Sequence, residues 1–249
     1  MSPPGLSVVI PALNMASFLG FALSSVERQD CKDLEVVVVD AGSTDDIGAV
    51  VAQHRTFGLD VRLVGGVSLT PAAARNFGIG LATGKLIAFL DADDLWPEGK
   101  LTRQLRRLAS TPAIDMVSGY VTYFDTPDDT GLAPQPTSRT ETLFHVHVGA
   151  CIYRRDVFER IGGAFDEDFL YSEDVDLMLR VRERDIPFSI LRSVELFYRL
   201  HPSSLMAQSN PRKDASFRLA THKSLMRRRA AGKLGKPLPE FANYLEPSS

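Results

Sequence analysis

The chain has 249 residues, of which 44% are hydrophobic and 24% charged, and a net charge of −3 at pH 7. That balance is an ordinary globular one with ample material for a core, and it excludes an intrinsically disordered chain. No run approaches the ~20 apolar residues of a membrane span, and Cys31 and Cys151, far apart and without a CxxC pair, indicate neither a disulfide framework nor a zinc site.

The opening stretch, MSPPGLSVVIPALN, has no basic region leading into an apolar block, so no secretory leader is expected and the cytoplasm is the expected compartment. Short apolar, β-branched runs follow at 6–10, 34–39, 61–64 and 85–90, which reads as four buried strands. Helical spacing lies between them: Leu19, Leu23 and Val26 share one face, as do Ile47, Val50 and Val51. Thr70-Pro71 predicts a capped helix with proline at its first position, running to about Leu81. Strand–helix alternation of this kind predicts a mostly parallel sheet flanked by helices, with ligands bound beyond the carboxyl ends of the strands.

Further on, Glu98–Ala109 predicts an amphipathic helix with Leu101, Leu105 and Leu108 inward, and 115–124 a fifth strand. Asp125–Thr142 reads as a long polar loop, and 147–154 as a strand followed by a short helix stopped at Gly162-Gly163. Ser172 is placed to cap a helix running to about Arg184, and 194–201 is the last strand expected. Composition changes after Pro202. From Leu205 onward there are nine Lys/Arg against three Asp/Glu, while the preceding residues hold nineteen against twenty-eight. We therefore divide the chain into a domain at 1–204, its halves meeting near residue 110, and a basic helical extension at 205–249.

Two nucleotide-binding motifs are excluded. GIGLATGKL (78–86) has the wrong glycine spacing for a phosphate loop and Leu86 where a Ser or Thr is needed, and it does not complete GxGxxG. The informative motif is Asp91-Ala92-Asp93-Asp94, three carboxylates at the end of an apolar strand. Their mutual repulsion has no value to a fold, and helix capping accounts for one of them at most. Carboxylates at i and i+2 on a bending strand end can share one hard cation, Mg²⁺ or Mn²⁺, that leaves positions open for a diphosphate. Asp40 ends the second strand, where it could also merely cap the next helix. Glu173-Asp174 stands at a helix start, where it could equally be an acidic first turn.

Taken together and in order, SVVIPALN, LEVVVVDAGSTD, AAARNFGIGLATGKLIAFLDADDLWP and YSEDVDLMLRV resemble family 2 inverting glycosyltransferases, over about Leu6 to His201. The resemblance implies an α/β fold of the GT-A type, a single nucleotide-diphospho-sugar transferase domain, with a helical C-terminal appendage. It implies a nucleoside-diphosphate sugar donor, UDP-linked in our reading, and an acceptor hydroxyl on a glycan or glycolipid. Pro11, Ala12, Leu13 and Asn14 would line the nucleotide pocket with Asp40, Arg75, Asp91 and Ala92. Leu13 replaces a frequent tyrosine and Ala41 a frequent second acid, which leaves the base open. Asp93 and His201 would hold Mn²⁺ or Mg²⁺, with Asp94 on the metal or in a local bond. Asp174 would be the general base of a single displacement, which needs no covalent nucleophile, with Glu173 beside it and His147 (with His145) facing the acceptor.

Trp96, the only tryptophan, could stack on the apolar face of a sugar, but core packing is the commoner role of a tryptophan and it is left out of the site. The basic tail suits a peripheral contact with anionic lipid, or packing on the domain or on a second copy in a homodimer; nucleic acid is not expected, since no reading motif accompanies the charge. Two rival functions are a sugar nucleotidyltransferase, which would need a glycine-rich basic loop after the first strand, and a non-catalytic nucleotide-sugar-binding protein.

Overall fold

The computed structural model describes residues 5–136, 138, 140–143, 147–202, 204 and 211–247. A single mixed sheet runs through them. Strands β1 (Leu6–Ala12), β2 (Leu34–Asp40), β3 (Val61–Gly65) and β4 (Leu86–Phe89) form a parallel half in the order β3-β2-β1-β4. The second half is built on β5 (Met116–Phe124). β8 (Phe188–Arg199) lies parallel along one side of β5, and β7 (Ile152–Arg154) and β6 (Thr140–Leu143) pair antiparallel with its two ends on the other. β7 joins the halves by pairing antiparallel with β4. Parallel pairings hold the first half, as expected, and the antiparallel ones are confined to the junction and rim.

The sequence explains which face each helix covers. Val8, Ile10, Val36 and Val38 point to one side with α1 (Ala16–Glu27), α2 (Ile47–Thr56) and α4 (Lys100–Ser110). Val9, Val37 and Val39 point to the other, under α3 (Pro71–Leu81), α5 (Asp156–Arg160) and α6 (Glu173–Glu183). Period-two alternation with both faces apolar is what a covered parallel strand requires. Helix α3 begins as expected, with Thr70 Oγ1 accepting from Ala73 N at 3.2 Å ahead of Pro71. It presses so closely on the sheet that a Cβ at Gly78 would stand 2.4 Å from Val9 Cγ1.

Four expectations need correction. Residues 147–154 are not one strand: Val148–Ala150 is a 3₁₀ turn and only Ile152–Arg154 is extended. Trp96 Nε1 and Gln104 Nε2 take the Gly149 and Ala150 carbonyls that a strand neighbour would need. The polar loop ends early, because Thr140–Leu143 adds the exposed edge strand β6. The last strand starts at Phe188, not Val194, and ends at Arg199. Ser172 occupies the cap position of α6 in a left-handed conformation (φ 61°), so its side chain makes no cap hydrogen bond.

Residues 211–247 lie against the domain. Helix α7 (Pro211–Ala230) places Arg227 on Asp176 and Glu183 of α6 at 2.9 and 2.7 Å, and Lys223 on Asp166 and Asp168 at 2.6 and 2.8 Å. Beyond it Tyr244 stacks on Phe188, ring centroids 3.7 Å apart. Part of the tail's positive charge is therefore engaged by the domain's own acids. No helix among the described residues is long and apolar enough to cross a membrane.

Candidate functional site

The carboxyl ends of the parallel strands β1, β2 and β4 lie along one edge of the sheet. Asp40 closes the turn after β2: its Oδ1 accepts from Gly42 N at 3.0 Å and Ser43 N at 2.7 Å. It does not cap the next helix; Asp46 does, accepting from Ala49 N at 2.9 Å. Gly65 crosses Asp40 so closely that a Cβ would meet the Asp40 carbonyl at 2.4 Å, and its φ of 101° suits only glycine. Asn14, itself left-handed (φ 54°), ties the β1 end to the β2 turn by accepting from Thr44 N at 2.8 Å. Pro11 is half-buried and Ala12 buried, while Leu13 is 48% exposed at the rim.

The acidic turn after β4 is held from two directions. Arg75, reaching from α3, is buried, with Nη2 on Asp91 Oδ1 and Nη1 on Glu173 Oε1, both at 2.6 Å. Burial alone would lower this guanidinium's pKa; Asp91 and then Glu173 outweigh it and hold the group above its ordinary range. One side chain thus joins the end of β4 to the start of α6, Arg75 itself lying 98 positions from Glu173 in sequence. From the other side, Arg199 at the end of β8 donates its backbone N–H to Asp94 Oδ1 and its Nε–H to the Asp93 carbonyl, each at 3.0 Å. Its guanidinium lies 4.9 Å from the Phe124 ring centroid and 5.5 Å from that of Phe18. Arg199 escaped the sequence reading because nothing near it in the chain marks a partner more than a hundred residues away.

Inside this frame His201 Nε2 lies 2.9 Å from Asp93 Oδ2, the imidazole resting on Phe18 at 4.6 Å between centroids. His147 Nε2 is 3.9 Å from Asp91 Oδ2. Ala92, between Asp91 and Asp93, is packed in the core. His145 lies outside the described residues. Tyr198 and Tyr123, paired in register on β8 and β5, form an aromatic wall beside His147, with centroids 5.0 Å apart and Tyr198 5.3 Å from the imidazole. Neither tyrosine was singled out from sequence; their alternation on two strands is no different from that of core residues.

The electrostatics are those of a site organised for positive charge. Asp91 stays below the ordinary carboxylate range although burial pushes it up, chiefly because the Arg75 guanidinium lies beside it. Asp94 is driven well above that range by burial, then by Asp93 and Asp91. Asp94 Oδ2 is buried with no hydrogen-bond partner among the described residues, an arrangement a bound cation would relieve. One ligating atom each from Asp91, Asp94 and His147 lies within 4.8 Å of the others, the single such grouping among the described residues. At the start of α6, Asp174 is pushed up to about 7 by burial and by Glu173, against the Val175 N–H that its Oδ1 accepts at 2.7 Å. A carboxyl at that value can take a proton near neutrality.

Comparison with known proteins gives these residues a context. A family model described as glycosyl transferase family 2 matches residues 7–162. Among curated proteins, an uncharacterized glycosyltransferase, EpsJ of Bacillus subtilis, is 27% identical over 217 residues, covering 81% of this chain and 63% of that protein. A PGL/p-HBAD biosynthesis glycosyltransferase of Mycobacterium tuberculosis is 35% identical over 170 residues, covering 65% and 64%. The chain spans less than two thirds of the length of the curated relatives it matches. Among solved structures, S. aureus TarS 1-349 in complex with UDP-GlcNAc aligns with a TM-score of 0.67 and 20% identity, covering 88% of this chain and 66% of that one. The mannosyltransferase PcManGT of Pyrobaculum calidifontis, in complex with GDP-Man and Mn²⁺, aligns with a TM-score of 0.63 and 22% identity, covering 96% and 67%. At such identities these two likenesses establish the shared GT-A-type fold.

Proposed function

The chain belongs to glycosyl transferase family 2, and from that premise we propose that it transfers a sugar, with inversion, from a UDP-sugar to an acceptor hydroxyl in polysaccharide or glycolipid assembly. The observation that carries this reading is the Arg75 bridge, 2.6 Å to each of Asp91 and Glu173. It fixes the acidic turn that would hold the donor beside the helix start that would carry the base, so both chemical roles would meet at one edge of the sheet. The names of the relatives support the setting, and the UDP-GlcNAc complex of TarS supports the choice of nucleotide.

In this mechanism the β1 and β2 ends, with Asn14 and Asp40, receive the nucleoside. Asp93 and His201, with Asp91 and Asp94 beside them, are the residues that would hold Mn²⁺ or Mg²⁺. When bound, the cation offsets the charge that develops on the leaving diphosphate. Arg75 keeps Asp91 ionised and in place. Asp174 accepts the acceptor's hydroxyl proton as its oxygen attacks the anomeric carbon, and one displacement completes the reaction. An α-linked donor would give a β-linked product.

The test is turnover of UDP-sugars by Asp174→Asn, scored as UDP release with and without a glycan acceptor. Transfer should fall by at least ~10²-fold while donor affinity stays within a few-fold of wild type. Unchanged transfer would remove Asp174 as the base; donor binding without turnover in wild type itself would favour the non-catalytic binding protein.

A further inference from the structure

A buried chain of hydrogen bonds leads from α4 to the imidazole of His147, and each link has only one sense. Lys100 is fully buried; its Nζ donates to Gln104 Oε1 at 2.5 Å and lies 4.5 Å from the Trp96 ring centroid. With its oxygen so occupied, the Gln104 amide turns its Nε2 to the Ala150 carbonyl at 2.8 Å. Trp96 Nε1, which can only donate, takes the neighbouring Gly149 carbonyl at 3.1 Å. These bonds pin the 148–150 turn from inside the core. The turn in turn aims its Gly149 N–H at His147 Nδ1, 3.1 Å away. There is little slack: a Cβ on Gly149 would stand 3.1 Å from both His147 Nδ1 and Leu196 Cδ2.

A ring nitrogen that accepts a hydrogen bond carries no proton, so the imidazole's N–H must be on the other nitrogen. That other nitrogen, Nε2, is the one 3.9 Å from Asp91 Oδ2. We propose that His147 carries its proton on Nε2, the nitrogen facing Asp91, and is not a cation ligand, and that Trp96, Lys100 and Gln104 are positioning residues that set this tautomer. Proximity alone would make His147 a third ligand with Asp91 and Asp94. The lone pair such a bond needs is absent from Nε2 in this tautomer, and Nδ1 spends its own on Gly149. The cation's ligands are then the carboxylates and His201. This last consequence rests on the proposed cation site; the tautomer does not.

Long-range ¹H–¹⁵N correlation spectra of the whole chain, with the His147 signals identified by their loss in His147→Gln, read the tautomer directly. A pyrrole-type Nε2 and a pyridine-type Nδ1 are expected; the reverse pattern overturns the proposal. Mn²⁺ affinity, followed by electron paramagnetic resonance, tests whether His147 is a ligand. If Nε2 is no ligand, the loss of affinity in His147→Gln should be clearly smaller than in Asp93→Ala, and an equal loss in the two contradicts the proposal. If wild type binds no Mn²⁺ at all, the cation site fails and the spectra alone decide the tautomer. Gln104→Met and Trp96→Phe each remove one anchor of the turn and should bring in a fraction of the Nδ1–H form. An unchanged tautomer in both folded variants would overturn their positioning role.

Discussion

Replacing Arg75 by methionine removes a cation whose side chain is 6% exposed from between carboxylates that are 24% exposed at Asp91 and 12% at Glu173. Methionine keeps the length of the stem, so the loss is chiefly electrostatic. Taking one partner from a buried pair typically costs 3–5 kcal/mol, because the remaining charge is left desolvated and uncompensated. Asp91 is the more exposed of the two, so we take the lower part of that range, about 3 kcal/mol at pH 8. For a chain of this size that corresponds to a fall in Tm of roughly 6–12 °C. The pH dependence gives the sharper test. In wild type the Asp91 carboxyl lies below its ordinary value, so its contribution is present above the unfolded pKa and is lost as pH falls. Without Arg75, burial acts on Asp91 with less opposition and drives its carboxyl above the unfolded value, so the variant loses stability as pH rises. The gap between the two proteins must therefore widen from pH 4.5 to pH 8. Calorimetric melts at both pH values measure it. A gap below about 1 kcal/mol at pH 8, or one that is equal at the two pH values, would refute this account of the bridge.

The general base carries its own pH dependence: with Asp174 titrating near 7, kcat should fall on the acid side of about that value. The same raised pKa means that the native state holds a proton the unfolded chain has lost, so stability falls between roughly pH 4 and 7. Asp174→Asn should then match wild type in Tm near pH 4 and exceed it at pH 8, and a variant that is less stable at both would contradict the assignment. Gly78→Ala gives the opposite sign to helix propensity. Alanine would gain up to about 1 kcal/mol in an open helix, but its Cβ would stand 2.4 Å from Val9 Cγ1, so we expect a net loss of about 1–3 kcal/mol in urea melts. A stabilised variant would show that α3 does not press on the sheet as described.

The parts of the fold legible in the sequence are those in which local pattern and tertiary environment agree. β1 and β2 are covered on both faces, so their sequences are continuous β-branched runs, and Thr70-Pro71 starts α3 by chemistry confined to four residues. The acidic turn was legible for the opposite reason: three carboxylates on a strand end conflict with folding alone. What escaped was set by distant partners. The 148–150 turn looks like strand in sequence because its apolar residues are buried, and only the donors of Trp96 and Gln104 divert its carbonyls. β6 was read as loop because all four of its residues are exposed, which leaves no alternation to see. Arg199 has the same explanation: its bonds to Asp93 and Asp94 close a loop of over a hundred residues.

The most direct test of the account is a thermal-shift panel of nucleoside-diphosphate sugars with Mn²⁺ on the wild-type chain, repeated with EDTA and with Asp93→Ala. Binding to the folded state raises Tm in proportion to the logarithm of ligand over Kd. We expect one UDP-sugar to stabilise the protein by several degrees, and the shift to vanish both on chelation and in the variant. A shift that survives both would put the donor somewhere other than the Asp91–Asp94 turn, and no shift with any sugar nucleotide would contradict the proposed reaction.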